Sequence, residues 1–185
     1  MGGYFLYFAY GSNLHPARMA TRTPSCEYLG RAHLSGHRLR FHKRSQMGDD
    51  LSGKCDAYAT GNGSDIVHGV VYRISTREQV ALDRAEGEGR GYHRVPCSIA
   101  YGTSVLETHT YVANTEWIDA TLRPFDWYLA LVSSGARIHG LPRHYQKMLR
   151  SIDAWQDPDR RRSEAHFALA RGSGVVSAMP SRNRD

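Results

Sequence analysis

Two short stretches of the chain combine residue types that could hold an acidic substrate and move a proton. The first is Tyr10-Gly11-Ser12-Asn13, at the end of an aromatic and aliphatic run from Tyr4 to Tyr10. Glycine permits close backbone approach, and exposed N–H groups entering a helix attract an anion, with Ser12 and Asn13 adding side-chain donors. An ordinary strand-to-helix turn would read the same in these four letters. The second is Glu86, inside Leu82-Asp83-Arg84-Ala85-Glu86-Gly87. A carboxylate placed there could take a proton and return it, although a solvated glutamate at a helix end is the plain alternative. The glycines of Gly87-Glu88-Gly89-Arg90-Gly91 follow a helix rather than a strand, which excludes a dinucleotide fingerprint.

The elements that must position these residues can be read from periodicity and punctuation. Tyr4 to Tyr10 predicts a first strand buried on both faces. Asn13 is placed as a cap and Pro16 in the first turn of a helix from about His15 to Arg22. Strands are expected near Glu27–Leu34, His37–Lys43, Ala57–Gly61 and Ile66–Ile74, with a mobile loop from Ser45 to Gly53. Ser75 and Glu78 have capping-box spacing for a helix that runs to about Ala85, with Val80 and Leu82 as apolar contacts. Two strands, Tyr92–Tyr101 and Ser104–Ala113, and two helices, Asp126–Ile138 and Pro142–Ala154, complete the pattern. Many strands without regular β-α-β alternation indicate an α+β protein with a closed or nearly closed sheet.

At 185 residues the chain reads as one domain over residues 1–156, followed by a basic C-terminal tail over 157–185. In that tail residues 163–170 could form one helix, and 172–185 read as disordered. Composition is that of an ordinary globular protein, 41% hydrophobic and 23% charged. No run reaches membrane-span length, and the apolar opening lacks the basic start of a signal peptide, so the expected location is cytoplasmic. Three scattered cysteines argue against a disulfide framework or a zinc site, and the ten histidines read as surface or strand residues rather than metal ligands. The net charge of +6 concentrates in His37–Arg44 and Arg160-Arg161-Arg162. Both clusters read as solvated surface, so nucleic acid is not the expected partner.

Four segments in order resemble the γ-glutamylcyclotransferase family: Phe8-Ala9-Tyr10-Gly11-Ser12-Asn13-Leu14; Gly69-Val70-Val71-Tyr72; Leu82 to Gly87 with Gly91-Tyr92; and Gly135-Ala136 with Gly140-Leu141-Pro142 and Tyr145. The resemblance implies a mixed, barrel-like sheet flanked by helices, no cofactor and no metal, and a small γ-glutamyl substrate. It leaves a homodimer open. It implies that Tyr10, Gly11, Ser12 and Asn13 bind the γ-glutamyl part, that Glu86 is the catalytic glutamate, and that Tyr128 lines the pocket. Asn13 matches relatives acting on γ-glutamyl-amino acids, which yield 5-oxoproline and a free amine. A γ-glutamylamine cyclotransferase in a biosynthetic pathway and a non-catalytic binding module on the same fold are the alternatives.

Overall fold

The computed structural model of the protein describes residues 2–45 and 52–172. Five strands close into a barrel in the order β1 (Tyr4–Ala9), β5 (Ile66–Ser75), β2 (Glu27–Ser35), β6 (Tyr92–Tyr101) and β7 (Ser104–Ala113). Neighbours are antiparallel except at the closing seam, where β7 runs parallel to β1 with Tyr7 opposite His109. Strands β3 (His37–Arg44) and β4 (Gly53–Ala59) form a separate antiparallel pair. This pair is tied to the barrel where the Ala113 N–H donates to Asp56 Oδ1 at 2.8 Å. The α+β class and the closed sheet expected from the sequence are both present.

The chain leaves β1 through Tyr10 and Gly11, makes one 3₁₀ turn over Ser12–Leu14, and enters α1 (Pro16–Arg22). Helix α2 (Gln79–Glu86) follows β5, and its last residue is Glu86. Gly87 caps it at φ 76°, a left-handed conformation that glycine adopts without a side-chain clash. Helix α3 (Asp126–Ile138) buries Trp127, Tyr128, Leu131, Val132, Gly135 and Ala136, the stripe that a 3.6-residue period lays along one side. A Cβ on Gly135 would fall 2.5 Å from the backbone carbon of Leu14, so glycine lets α3 rest directly on the 3₁₀ turn. That contact clamps the Gly11–Asn13 loop between barrel and helix. Helix α4 (Arg143–Arg150) and helix α5 (Arg160–Ala170) complete the chain, α5 stacking His166 on Trp127 at 4.0 Å.

Several local expectations differ from what forms. Strand β4 begins at Gly53 rather than Ala57, because pairing of Arg44 with Gly53 and of Lys43 with Lys54 overrides their weak strand preference. The loop expected over Ser45–Gly53 therefore loses its last residue to the strand, and 46–51 lie outside the described residues. The capping box does not close: Glu78 accepts from the N–H and hydroxyl of Ser25 instead, bracing the start of β2. Val80 is 68% exposed, so Leu82 alone of the two expected apolar contacts is buried. In β1 only Tyr7, Phe8 and Ala9 are buried, and Tyr4 is exposed. Helix α4 stops at Arg150, with Pro142 as its cap rather than its first residue. His15 and His139 are buried rather than superficial. Residues 173–185, most of the segment read as disordered, lie outside the described residues.

Candidate functional site

The six residues singled out from the sequence, Tyr10, Gly11, Ser12, Asn13, Glu86 and Tyr128, all line one cavity. They come from three elements far apart in the chain: the turn after β1, the end of α2 and the first turn of α3. The cavity is tight, about 20 Å³ of free volume, close to the room that one water needs.

Asn13 is the hub. Its Nδ2 donates to Glu86 Oε1 at 2.6 Å and to the Tyr7 hydroxyl at 3.0 Å. Its Oδ1 accepts from Arg22 Nη1 at 2.8 Å, and the same guanidinium nitrogen reaches Glu86 Oε1. Asn13 is therefore not the helix cap expected from the sequence; His15 stands at that position, without a side-chain capping bond. Pro16 starts α1 without an N–H that would need an acceptor.

Glu86 takes both of its hydrogen bonds on Oε1, and Oε2 accepts none from the described residues. Of the loop backbone, the Leu14 and His15 N–H groups bond back to Gly11 and Ser12. The N–H groups of Gly11, Ser12 and Asn13 find no acceptor among the described residues. Two such features in one cavity, an underused carboxylate oxygen and a set of uncommitted donors, make a place where an anion can bind beside a base.

The walls are tyrosines. Tyr10 donates to the Tyr111 carbonyl, Tyr92 donates to the Cys55 carbonyl, and Tyr128 accepts from the Cys55 N–H at 3.1 Å. Burial pushes the phenols of Tyr7, Tyr10, Tyr92 and Tyr128 well above the ordinary tyrosine range, and the Glu86 charge adds to this at Tyr7. These rings therefore stay neutral and serve as walls and donors. Burial likewise raises the Cys55 thiol to about 12, which leaves it a poor nucleophile.

Sequence reasoning missed Tyr7, Arg22, Cys55 and Tyr111 as site residues. Tyr92 was visible only as part of a motif. Nothing local marks Arg22, whose place depends on how α1 folds back over the end of α2.

Comparison with known proteins bears on what this cavity does. A sequence model of the family described as "Gamma-glutamyl cyclotransferase, AIG2-like" matches residues 7–128. The Bos taurus protein named Gamma-glutamylcyclotransferase is 31% identical over 153 residues, 82% of this chain and 80% of that one. The Homo sapiens protein of the same name is 29% identical over 153 residues, 80% of this chain and 79% of that one. A solved structure described as "Gamma-glutamyl cyclotransferase" superposes with a TM-score of 0.80 at 26% identity, covering 92% of this chain and 99% of the other.

Proposed function

Because the chain belongs to the γ-glutamylcyclotransferase family of enzymes, we propose that it converts a γ-glutamyl-amino acid to 5-oxoproline and the free amino acid. The observation that carries this reading is the Asn13–Glu86 pair, which sets a carboxylate with one unused oxygen beside the uncommitted N–H groups of Gly11–Asn13.

A γ-glutamyl amide contains its own nucleophile, so the protein needs only to fold the substrate and pass protons from the α-ammonium to the leaving nitrogen. The loop N–H groups receive the α-carboxylate or the oxyanion that develops on the γ-carbonyl. In other enzymes one such donor contributes typically ~2.7–4 kcal/mol. Glu86 removes a proton from the α-ammonium, and the freed nitrogen attacks the γ-carbon to close a five-membered ring. The tetrahedral adduct then expels the amide nitrogen, which takes the proton back from Glu86; the ring nitrogen gives up its second extra proton through the freed carboxylate to the departing amine, so the products are the neutral lactam and an ammonium. Asn13 keeps the carboxylate aimed throughout. Tyr10 and Tyr128 shape the wall against which the γ-glutamyl chain lies. Arg22 holds the same oxygen of Glu86, so substrate entry into so tight a cavity requires side chains at its mouth to move.

Incubation of the purified protein with γ-glutamyl-alanine, following 5-oxoproline and alanine together, tests this. The two products should appear in equal amounts. The reading falls if no γ-glutamyl compound in a broad panel is turned over.

A further inference from the structure

Tyr7 and Tyr111 both line the Glu86 cavity, and their rings meet edge to face with centroids 5.7 Å apart. Both are buried, on β1 and β7, the strands that meet at the parallel seam of the barrel. Their hydroxyl groups are nevertheless committed in opposite senses.

Tyr111 donates to Asp83 Oδ1 at 2.6 Å. A carboxylate can only accept, so the phenolic proton is spent on Asp83 and only oxygen lone pairs remain for other partners. Arg94 Nη1 reaches both oxygens of Asp83 at 3.1 Å and holds that carboxylate in place. Burial, then the bond to Asp83 and the charges of Asp83 and Glu86, push the Tyr111 phenol well above the ordinary tyrosine range, with Arg94 opposing. Tyr7 is the reverse. It accepts from Asn13 Nδ2 at 3.0 Å, and its own proton finds no acceptor among the described residues. The orientation of that amide is fixed by Arg22, which can only donate and which bonds Asn13 Oδ1.

Asp83 stands three residues before Glu86 in α2, so the two carboxylates leave neighbouring points on one face of the helix. Glu86 lines the cavity directly, and Asp83 reaches it through the Tyr111 hydroxyl. A γ-glutamyl head carries two charged groups of opposite hydrogen-bonding character. Its ammonium can only donate and its carboxylate can only accept. The Tyr111 lone pairs and the unused oxygen of Glu86 suit the ammonium, whereas the Tyr7 proton and the loop N–H groups suit the carboxylate. A phenol without such a partner could offer a ligand its proton or a lone pair. The Asp83 bond removes that choice.

We propose that Tyr111 accepts a hydrogen bond from the substrate α-ammonium, and that Asp83, held by Arg94, is the positioning residue that confines Tyr111 to this role. This rests on the cyclotransferase reading of the cavity and assigns the side of it that receives the amine, next to the carboxylate that takes its proton. The Asp83–Tyr111 bond also ties α2 to β7. A role limited to that tie would affect every ligand alike.

The test uses two probes, L-glutamate and glutarate, which lacks the α-ammonium. Neither contains an amide to cleave, so calorimetry can follow their binding to the active protein while turnover of γ-glutamyl-alanine is measured separately. The wild-type protein should bind L-glutamate more tightly than glutarate. Tyr111→Phe should weaken L-glutamate at least about tenfold, the worth of one hydrogen bond to a charged group, and leave glutarate unchanged. Asp83→Asn should do the same. Arg94 then takes the amide oxygen, the amide nitrogen donates to Tyr111, and the phenolic proton is released to the cavity. Equal loss of both probes in Tyr111→Phe, or a preference for L-glutamate that survives it, overturns the proposal. A preference lost in Tyr111→Phe but kept in Asp83→Asn overturns the part given to Asp83. If Tyr111→Phe fails to fold, Asp83→Asn decides in the same way, and equal binding of the probes by the wild-type protein overturns the proposal by itself. Selective loss of L-glutamate binding, without turnover of any γ-glutamyl compound, would uphold the acceptor role and reject the cyclotransferase reading instead.

Discussion

Glu86 and Asp157 are both carboxylates held against an arginine, one at the end of the barrel and one beneath α5. Asp157 is fully occupied. Its Oδ2 accepts from Trp127 Nε1 at 2.6 Å and from Arg162 Nε at 2.5 Å, and its Oδ1 accepts from Arg162 Nη2 at 2.6 Å and the Asp159 N–H at 2.9 Å. The Arg162 guanidinium holds the Asp157 carboxyl down at about 2. Glu86, which lines a cavity, takes its donors on one oxygen, and the other accepts none from the described residues. The difference separates a carboxylate that joins elements from one available for chemistry. Pairing with arginine does not distinguish the two; spare acceptor capacity does.

Substitution of each carboxylate by its amide should break the symmetry between them. Glu86→Gln keeps the size and the Asn13 contact region but cannot carry the proton. Turnover should fall about 10²–10⁴-fold with little change in melting temperature, as expected for loss of an acid/base group. Retained turnover in a folded Glu86→Gln protein would remove Glu86 from its role. Asn13→Ala should leave Glu86 intact but badly aimed. A loss of roughly 10–100-fold in kcat/KM, smaller than that of Glu86→Gln, would match removal of one charge-assisted hydrogen bond.

Asp157→Asn should act the other way. It weakens the anchors of Trp127 and Arg162, so chemical denaturation should reveal a loss of about 1.5–3 kcal/mol, while the folded fraction keeps its turnover. Loss of activity in fully folded Asp157→Asn would erase the distinction between the two carboxylates.

The smallest expected effect concerns pH. Burial holds the His139 pKa down at about 4, with the Leu14 carbonyl partly opposing. The unfolded chain takes up this proton near the ordinary histidine value of about 6.5, so between these limits the unfolded state binds more protons. Stability should therefore fall as pH drops from about 6.5 towards 4. Asp157, whose folded pKa is depressed, should add its own loss only below its unfolded value of about 3.9. His139→Gln should flatten the first slope by at most about 1.4 kcal/mol per pH unit, read from melting curves at several pH values. An unchanged slope would mean that other groups dominate.

Much of the fold was legible in the sequence because local signals there agree with the tertiary result. Strands β6 and β7 and helix α3 form at the bounds expected from the pattern, since turn glycines and a long apolar stripe mark them. Strand β4 was misplaced at its start because Gly53-Lys54-Cys55-Asp56 has little strand preference of its own. The capping box failed for a related reason. Glu78 satisfied the spacing rule, but a distant partner at Ser25 competed successfully for its carboxylate.

At the site, the resemblance of four ordered motifs to a known family nominated Tyr10–Asn13, Glu86 and Tyr128 as one group, where residue type and spacing left each with a plain structural alternative. The sequence alone also determined the α+β class, since the periodicity of each segment depends on its own neighbours. Only the tertiary structure made Asn13 a partner of Glu86 rather than a cap. That outcome depends on which surfaces meet across 73 residues of chain. The inward face of Lys43, by contrast, follows the two-residue period through Leu39 and Phe41, and the basic composition of the strand hid it. Long-range hydrogen bonds are decided by tertiary contacts, and no local spacing encodes them.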